Sequence, residues 1–195
     1  MKKMLLAPMA LTMLLAGSLA TAAGKAETAI PDVKPGQAQI VFLRKTTVNA
    51  LVGIIVYDVT SGEPKAMGKL TNNRKLIVDV PPGEHLFMTG NLCLQDFMPV
   101  TVAADKRYYV VVNAFWPALF SMRPVRHEGG EFLYKSPKVE EMVAETKLAK
   151  PFDEAKDGDK KEKVLECHKV SWTKWQEKNA EQRAVLTMRA EDSVN

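Results

Sequence analysis

Short runs rich in β-branched and aromatic residues, each closed by turn residues, follow one another between positions 38 and 125. Such side chains pack well on a pleated surface, and Gly, Pro, Asn and Asp supply the backbone angles that a reversal needs, so the texture is that of an all-β domain. The runs are 38–43, 53–59, 65–70, 76–80, 84–89, 97–102, 107–113 and 119–125. At the centre of the second, Ile54-Ile55-Val56-Tyr57 is apolar on both faces, as a strand buried on both sides should be. In the fourth, Leu76, Val78 and Val80 alternate with Ile77 and Asp79, the period of two that turns one face to a core. Tyr108-Tyr109-Val110-Val111-Val112 is the strongest strand signal in the chain. Ser61-Gly62, Asn72-Asn73, Pro81-Pro82-Gly83 and Ala104-Asp105-Lys106 supply turns, the third with the proline-then-glycine order of a type II turn. Seven or eight strands with short connections bury a core by stacking two sheets or closing a barrel. The fold class expected is therefore mainly β: an antiparallel β-sandwich of seven to eight strands over residues 38–126, followed by a C-terminal helical extension.

That extension, 127–195, obeys a different pattern. Residues 137–148 hold Val139, Met142, Val143 and Leu148 at helical spacing among Glu and Lys, which predicts a short amphipathic helix. Residues 150–163 are dense in Lys, Asp and Glu and read as a solvated linker. For 164–189 two patterns compete. Leu165, His168, Trp172, Trp175 and Leu186 share a helix face, whereas Val164, His168, Val170 and Trp172 alternate as on a strand. Helix is preferred, because 176–189 is rich in helix formers and lacks Gly and Pro.

The N-terminus has no strand pattern. Lys2 and Lys3 precede an apolar stretch over 4–19 that Pro8 and Gly17 interrupt, and Ala20-Thr21-Ala22-Ala23 follows. Too short and broken for a membrane span, this basic, apolar, small-residue order predicts a secretory signal peptide over 1–23, cleaved after Ala22 or Ala23. Residues 24–37, with Pro31, Pro35 and Gly36, read as a flexible lead-in. No later segment reaches spanning length, so a periplasmic or secreted protein without an integral membrane span is expected.

Composition changes this picture little. The chain has 195 residues, 46% of them hydrophobic and 26% charged, which is ordinary for a globular protein. Its formal charge of +4 includes Lys2 and Lys3, and a balance that small gives no footprint for nucleic acid. An exported chain lives where disulfides persist, which makes Cys93 and Cys167 a disulfide candidate. The alternative is a pair of buried thiols. If bonded, they close a long loop and tie the tail to the sandwich, at about 4 kcal/mol by loop-closure entropy.

Several stretches carry a resemblance: Val41-Phe42-Leu43-Arg44, Met67-Gly68-Lys69-Leu70, Val80-Pro81-Pro82-Gly83-Glu84-His85, Lys106-Arg107-Tyr108-Tyr109-Val110 and Phe120-Ser121-Met122-Arg123-Pro124-Val125. Over 40–125 the chain resembles a family of small exported bacterial β-sandwich domains of unknown function, often lipoproteins of Gram-negative envelopes. The resemblance implies the fold and the compartment, and brings no catalytic residues with it. The chain departs from it in lacking a lipid-accepting cysteine near the cleavage site and in carrying a long charged tail.

Catalytic motifs are hard to find. A nucleophile needs a base and an orienting group, and no Gly-x-Ser-x-Gly elbow, phosphate-cradling loop or dinucleotide fingerprint is present. His85 follows a tight turn, His127 lies in a charged loop, and His168 neighbours Cys167 without the second cysteine of a haem-attachment motif. No local set of ligands suits zinc, so no metal and no cofactor are expected. The acid pairs Glu140-Glu141 and Asp153-Glu154 fall on polar stretches. The stretch that asks for an explanation is Phe115-Trp116-Pro117-Ala118-Leu119-Phe120, between two strands where polar turn residues are normal. Either the tail, through Trp172 and Trp175, covers these aromatics, or they form a partner-binding or membrane-touching tip. The sequence thus points to a non-enzymatic binding domain of the bacterial envelope. Phe115, Trp116 and Phe120 are its candidate binding residues, and another envelope protein or a surface polymer is the expected partner. The alternatives are an envelope hydrolase with His85 or His168 as base, and a thiol- or metal-handling protein.

Overall fold

The structure is a computed structural model that describes residues 27–91, 94–115, 119–157 and 161–195. Its eight long strands are β1 (Ala38–Arg44), β2 (Ile54–Asp58), β3 (Lys65–Leu70), β4 (Arg74–Val80), β5 (Gly83–Asn91), β6 (Leu94–Val102), β7 (Arg107–Phe115) and β8 (Leu119–Arg126). They fall where the hydrophobic pattern puts them. Two further strands, β9 (Phe132–Leu133) and β10 (Lys147–Leu148), are two residues each. One sheet has the order β10-β4-β1-β7-β8-β9 and the other β3-β2-β5-β6. The chain is therefore mainly β, in two stacked sheets.

The antiparallel expectation holds in the four-stranded sheet and needs correction in the six-stranded one. There β1 pairs antiparallel with β4 (Ala38↔Val80 to Arg44↔Arg74) but parallel with β7 (Gln39↔Arg107 to Leu43↔Val111). Parallel neighbours need a long crossover. Here the crossover runs through the opposite sheet, because β5 and β6 intervene before the chain returns as β7. The short strands β9 and β10 also pair parallel, with β8 and β4.

Between the sheets lies the main core. Ile40, Phe42, Val78, Tyr108 and Val110 meet Ile54, Val56, Phe87, Met98 and Val100, all nearly or fully buried. The Phe42 and Phe87 rings sit edge to face across the gap with centroids 5.5 Å apart, a geometry favoured by the ring quadrupoles. At the Pro81-Pro82 turn, Gly83 opens β5 with φ +131°, a region closed to side chains.

Residues 127–195 supply an outer layer on each side. Helix α1 (Pro137–Glu145) begins with proline, whose fixed φ suits the first helical position. It lays Val139 and Met142 on Val41, Leu43, Tyr109 and Val111. This explains why β1 is buried at all its positions. Helix α2 (Glu154–Asp157) is one turn, and α3 (Lys161–Gln176) covers the four-stranded sheet. Val164 and Trp175, with Leu186 beyond α4 (Ala180–Ala184), pack on Tyr57, Val59, Met88 and Phe97. The buried stripe of α3 is Val164, Cys167, Ser171 and Trp175, so Trp172 and His168 flank it instead of centring it. Helix ends before Met188, which pairs in parallel with β6: its N–H donates to Pro99 O at 2.9 Å, and Thr101 N–H donates to its carbonyl at 3.0 Å. Its side chain enters the inter-sheet core, and the pairing occupies part of a strand edge that would otherwise be open.

Lys75, fully buried in β4, joins this outer layer to the chain before β1. Its Nζ donates to Val143 O at 2.5 Å, near the end of α1, and to Thr28 O at 2.6 Å. Burial pushes its pKa down to about 8. Between about pH 8 and 10.5 the unfolded chain then holds a proton at Lys75 that the folded chain has shed, so stability rises with pH through that window. Unfolding in urea should show a gain on the order of 2 kcal/mol between pH 8 and 10, absent in Lys75→Met. Above about pH 10, Tyr57 and Tyr109, whose pKa values burial raises, act in the opposite sense. A stability flat or falling from pH 8 to 10 would contradict this reading of Lys75.

Candidate functional site

Arg44 ends β1 fully buried; its two terminal nitrogens donate to carbonyls, while its buried Nε has no hydrogen-bond partner. Nη1 donates to Val52 O at 2.6 Å and Leu70 O at 3.1 Å, and Nη2 to Asn49 O at 2.8 Å. The guanidinium also lies over the Phe120 ring, 5.0 Å from its centroid, a cation–π contact that strengthens as water is excluded. Burial lowers its pKa to about 10, which leaves it charged at neutral pH. One side chain thus holds the β1–β2 loop through backbone oxygens and rests on the first inward residue of β8.

The loop so held is apolar where loops are normally polar. Leu51 is 101% exposed and Val48 38%. Asn49 between them adopts φ +52°, which asparagine tolerates better than most residues. Its Nδ2 donates to Phe115 O at 2.8 Å, joining the loop to the β7–β8 hairpin. Phe115 and Leu119, on the two strands of that hairpin, are 45% and 44% exposed. Four exposed apolar side chains, two on the β1–β2 loop and two on the facing ends of β7 and β8, therefore occupy one end of the sandwich.

Phe115 and Leu119 also border a cleft of about 410 Å³, whose other walls come from β6, β8 and α3. Asp96 lies at its base. In β6 it shares the inward phase of Met98, Val100 and Val102. It accepts from Met122 N–H at 3.3 Å and from the Ser121 hydroxyl, and Arg123 Nη1 stands 3.8 Å away. Burial outweighs these attractions and raises its pKa, favouring the neutral acid. Arg123 donates to Ser121 Oγ and pairs with Glu131 Oε2 at 3.1 Å. Ser121 thus has an arginine donor and a carboxyl acceptor, with no histidine lining the cleft to activate it. Lys174 and Lys178 of α3 and its C-terminal flank bring positive charge to the opposite wall, beside Trp175.

The candidate residues separate here. Phe115 is exposed at the tip and on the cleft, while Phe120 is 3% exposed, inside the core beneath Arg44. Trp116 lies outside the described residues, as does Cys93. Cys167 is buried, and no cysteine among the described residues is a free thiol. Trp172 and Trp175 stack face to face, 5.0 Å apart, and close on Phe97 rather than on Phe115, although Trp175 reaches the cleft wall. His85 bonds Pro81 O through Nε2 at 2.8 Å, with Nδ1 3.8 Å from Asp58 Oδ2. His168 packs edge-on to Phe97, where burial lowers its pKa. His127 bonds Ser193 O at 2.7 Å. Among the described residues, no three His, Cys, Asp or Glu side chains are grouped to hold a metal ion, and no helix is long and apolar enough to cross a membrane.

Sequence reasoning passed over Asp96, Lys174, Lys178 and the pair Val48 and Leu51. Asp96 was within reach: the period of two through Met98, Val100 and Val102 extends back to it. Val48 and Leu51 lie between the runs 38–43 and 53–59, and nothing in their spacing marks them as an exposed apolar pair.

The fold and site define a two-sheet sandwich clad by helices, with an apolar tip and a basic-walled cleft at one end. No protein-family model matches the chain, and no curated protein matches it.

Proposed function

We propose that this chain is an exported, non-enzymatic binding module of the bacterial cell envelope that engages its partner through the end bearing Leu51 and Phe115. One observation carries the reading. Large apolar side chains stand exposed on the β1–β2 loop, which a buried arginine holds, and on the ends of β7 and β8, to which an asparagine hydrogen bond ties that loop. Exposed apolar groups on a fixed support are costly in water and useful at an interface. The basic, apolar, small-residue order of 1–23 supports export, to the periplasm or beyond, after cleavage at Ala22 or Ala23. The partner belongs to the envelope, with another envelope protein or a surface polymer as the classes expected from sequence. A Cys93–Cys167 bond would fasten α3 over its sheet, and finding two reactive thiols in the unfolded, unreduced chain would contradict it.

Site-specific photo-crosslinking in cells tests the binding surface. A crosslinking phenylalanine analogue at Phe115 or Leu51 should give adducts, and the same group at Lys65, exposed on the β3 edge, should give none. Equal adducts from the three positions, or none from the tip, would overturn the assignment.

A further inference from the structure

We infer that the partner of this tip is an anionic lipid surface. The inference rests on the binding reading above and replaces the protein or polymer expected from sequence with a defined chemistry.

The shape of the tip argues first. Leu51 is 101% exposed, so its side chain stands clear of its own protein. With the partly exposed Val48, Phe115 and Leu119 it forms one apolar group on the β1–β2 loop and the ends of β7 and β8. A protein partner must offer a cavity cut to each protruding side chain, whereas the boundary between headgroups and acyl chains accepts such groups whatever their outline. The second argument is charge. Lys174 and Lys178 share the cleft with Phe115 and Leu119, and no carboxylate pairs with either lysine among the described ion pairs. Apolar side chains that enter the interface, set beside basic side chains that stay at headgroup level, are the pattern by which proteins dock on anionic bilayers. Glu177, exposed between the two lysines, offsets part of this charge, and the acids at the cleft oppose it weakly. Asp96 is mostly buried and faces Arg123, and Glu131 is paired with Arg123. Lys45, at the start of the β1–β2 loop, is already engaged by Glu141 and Glu145 at 2.5 Å each, so the lysines of the α3 wall supply the attraction.

Flotation of the full chain with vesicles tests this. Vesicles of phosphatidylglycerol and phosphatidylcholine should bind it at least tenfold better than phosphatidylcholine alone, and added salt should weaken binding. Leu51→Asp should cut binding about tenfold without touching the fold, since its side chain contacts solvent. Phe115→Asp should weaken binding to a similar degree. Lys174→Glu with Lys178→Glu should remove most of the preference for anionic vesicles and its salt dependence. Every variant carries the same N-terminus, so any contribution from that segment is common to all. Equal binding by the parent and Leu51→Asp, or equal binding to neutral and anionic vesicles, would overturn the lipid assignment. No vesicle binding together with tip-specific crosslinks to a protein would overturn it while leaving the binding reading intact. Failure of both experiments would remove both.

Discussion

Trp175→Ala is expected to cost about 3–5 kcal/mol of stability, the range for removing a large buried aromatic. The indole is 7% exposed and lies in the cluster formed by Tyr57, Val59, Met88, Phe97, Val164 and Leu186. Its Nε1 donates to Phe97 O at 3.1 Å, and its ring stacks on Trp172. Alanine removes the stack, leaves a cavity under α3 and takes away that hydrogen bond at once. The affected region is the outer face of the four-stranded sheet, because among the described residues α3 is the helix that packs on Phe97. For a domain of this size the melting temperature should fall by roughly 10 °C, with loss of the near-ultraviolet circular dichroism that the indole pair contributes. Trp172→Ala should cost less, since Trp172 flanks the stripe. A loss below about 1 kcal/mol for Trp175→Ala would mean that α3 is only loosely applied. Cutting the chain after residue 160 goes further, removing Val164, Trp175, Leu186 and Met188 together, and should leave a product that does not fold cooperatively.

Arg44→Met should produce the second large effect, of a different kind. Methionine fills much of the arginine stem's volume but leaves the carbonyls of Asn49, Val52 and Leu70 without their donor. An unsatisfied buried acceptor costs about 1–3 kcal/mol; the Leu70 bond is buried and the other two part-buried, and losing all three exceeds the benefit of no longer desolvating a cation. The β1–β2 loop can escape much of that cost by opening to water. Global stability should therefore fall by about 2–3 kcal/mol, with local loss of amide protection in residues 46–53. Phe120 loses its cation–π partner in the same step. Arg44→Lys, which keeps the charge but not the planar fork, should fall between the two. Because the loop carries Leu51, Arg44→Met should also weaken vesicle binding. Unchanged protection in 46–53 would show that the loop does not depend on Arg44.

The eight long strands were legible because each is a short run rich in β-branched or aromatic residues closed by turn residues, a texture that does not depend on what the strand later pairs with. The parallel pairing of β1 with β7 was not, since it joins residues about seventy positions apart and leaves no local mark. Nor were β9 and β10, too short to show any period. The need for an outer layer was visible in β1, where Ile40-Val41-Phe42-Leu43 is apolar on both faces, yet the sequence does not say what covers it. In α3 the two tryptophans drew the predicted face toward Trp172 and His168. The buried stripe instead includes Ser171, a polar residue that hydropathy discounts. At the site, Phe115 was legible as an aromatic in a turn. Phe120 differs from it only in the phase of β8, which turns it inward beneath Arg44. Val48 and Leu51 matter because Asn49 reaches Phe115, a contact across 66 positions that only the folded chain reveals.

Amide hydrogen exchange with and without anionic vesicles reads the docking end of the sandwich segment by segment. Vesicles should protect the β1–β2 loop and the adjoining ends of β7 and β8, with little change at the β3 edge or over α1. Protection centred on α1 or β3, with the tip exchanging as fast as in free solution, would contradict docking through this end.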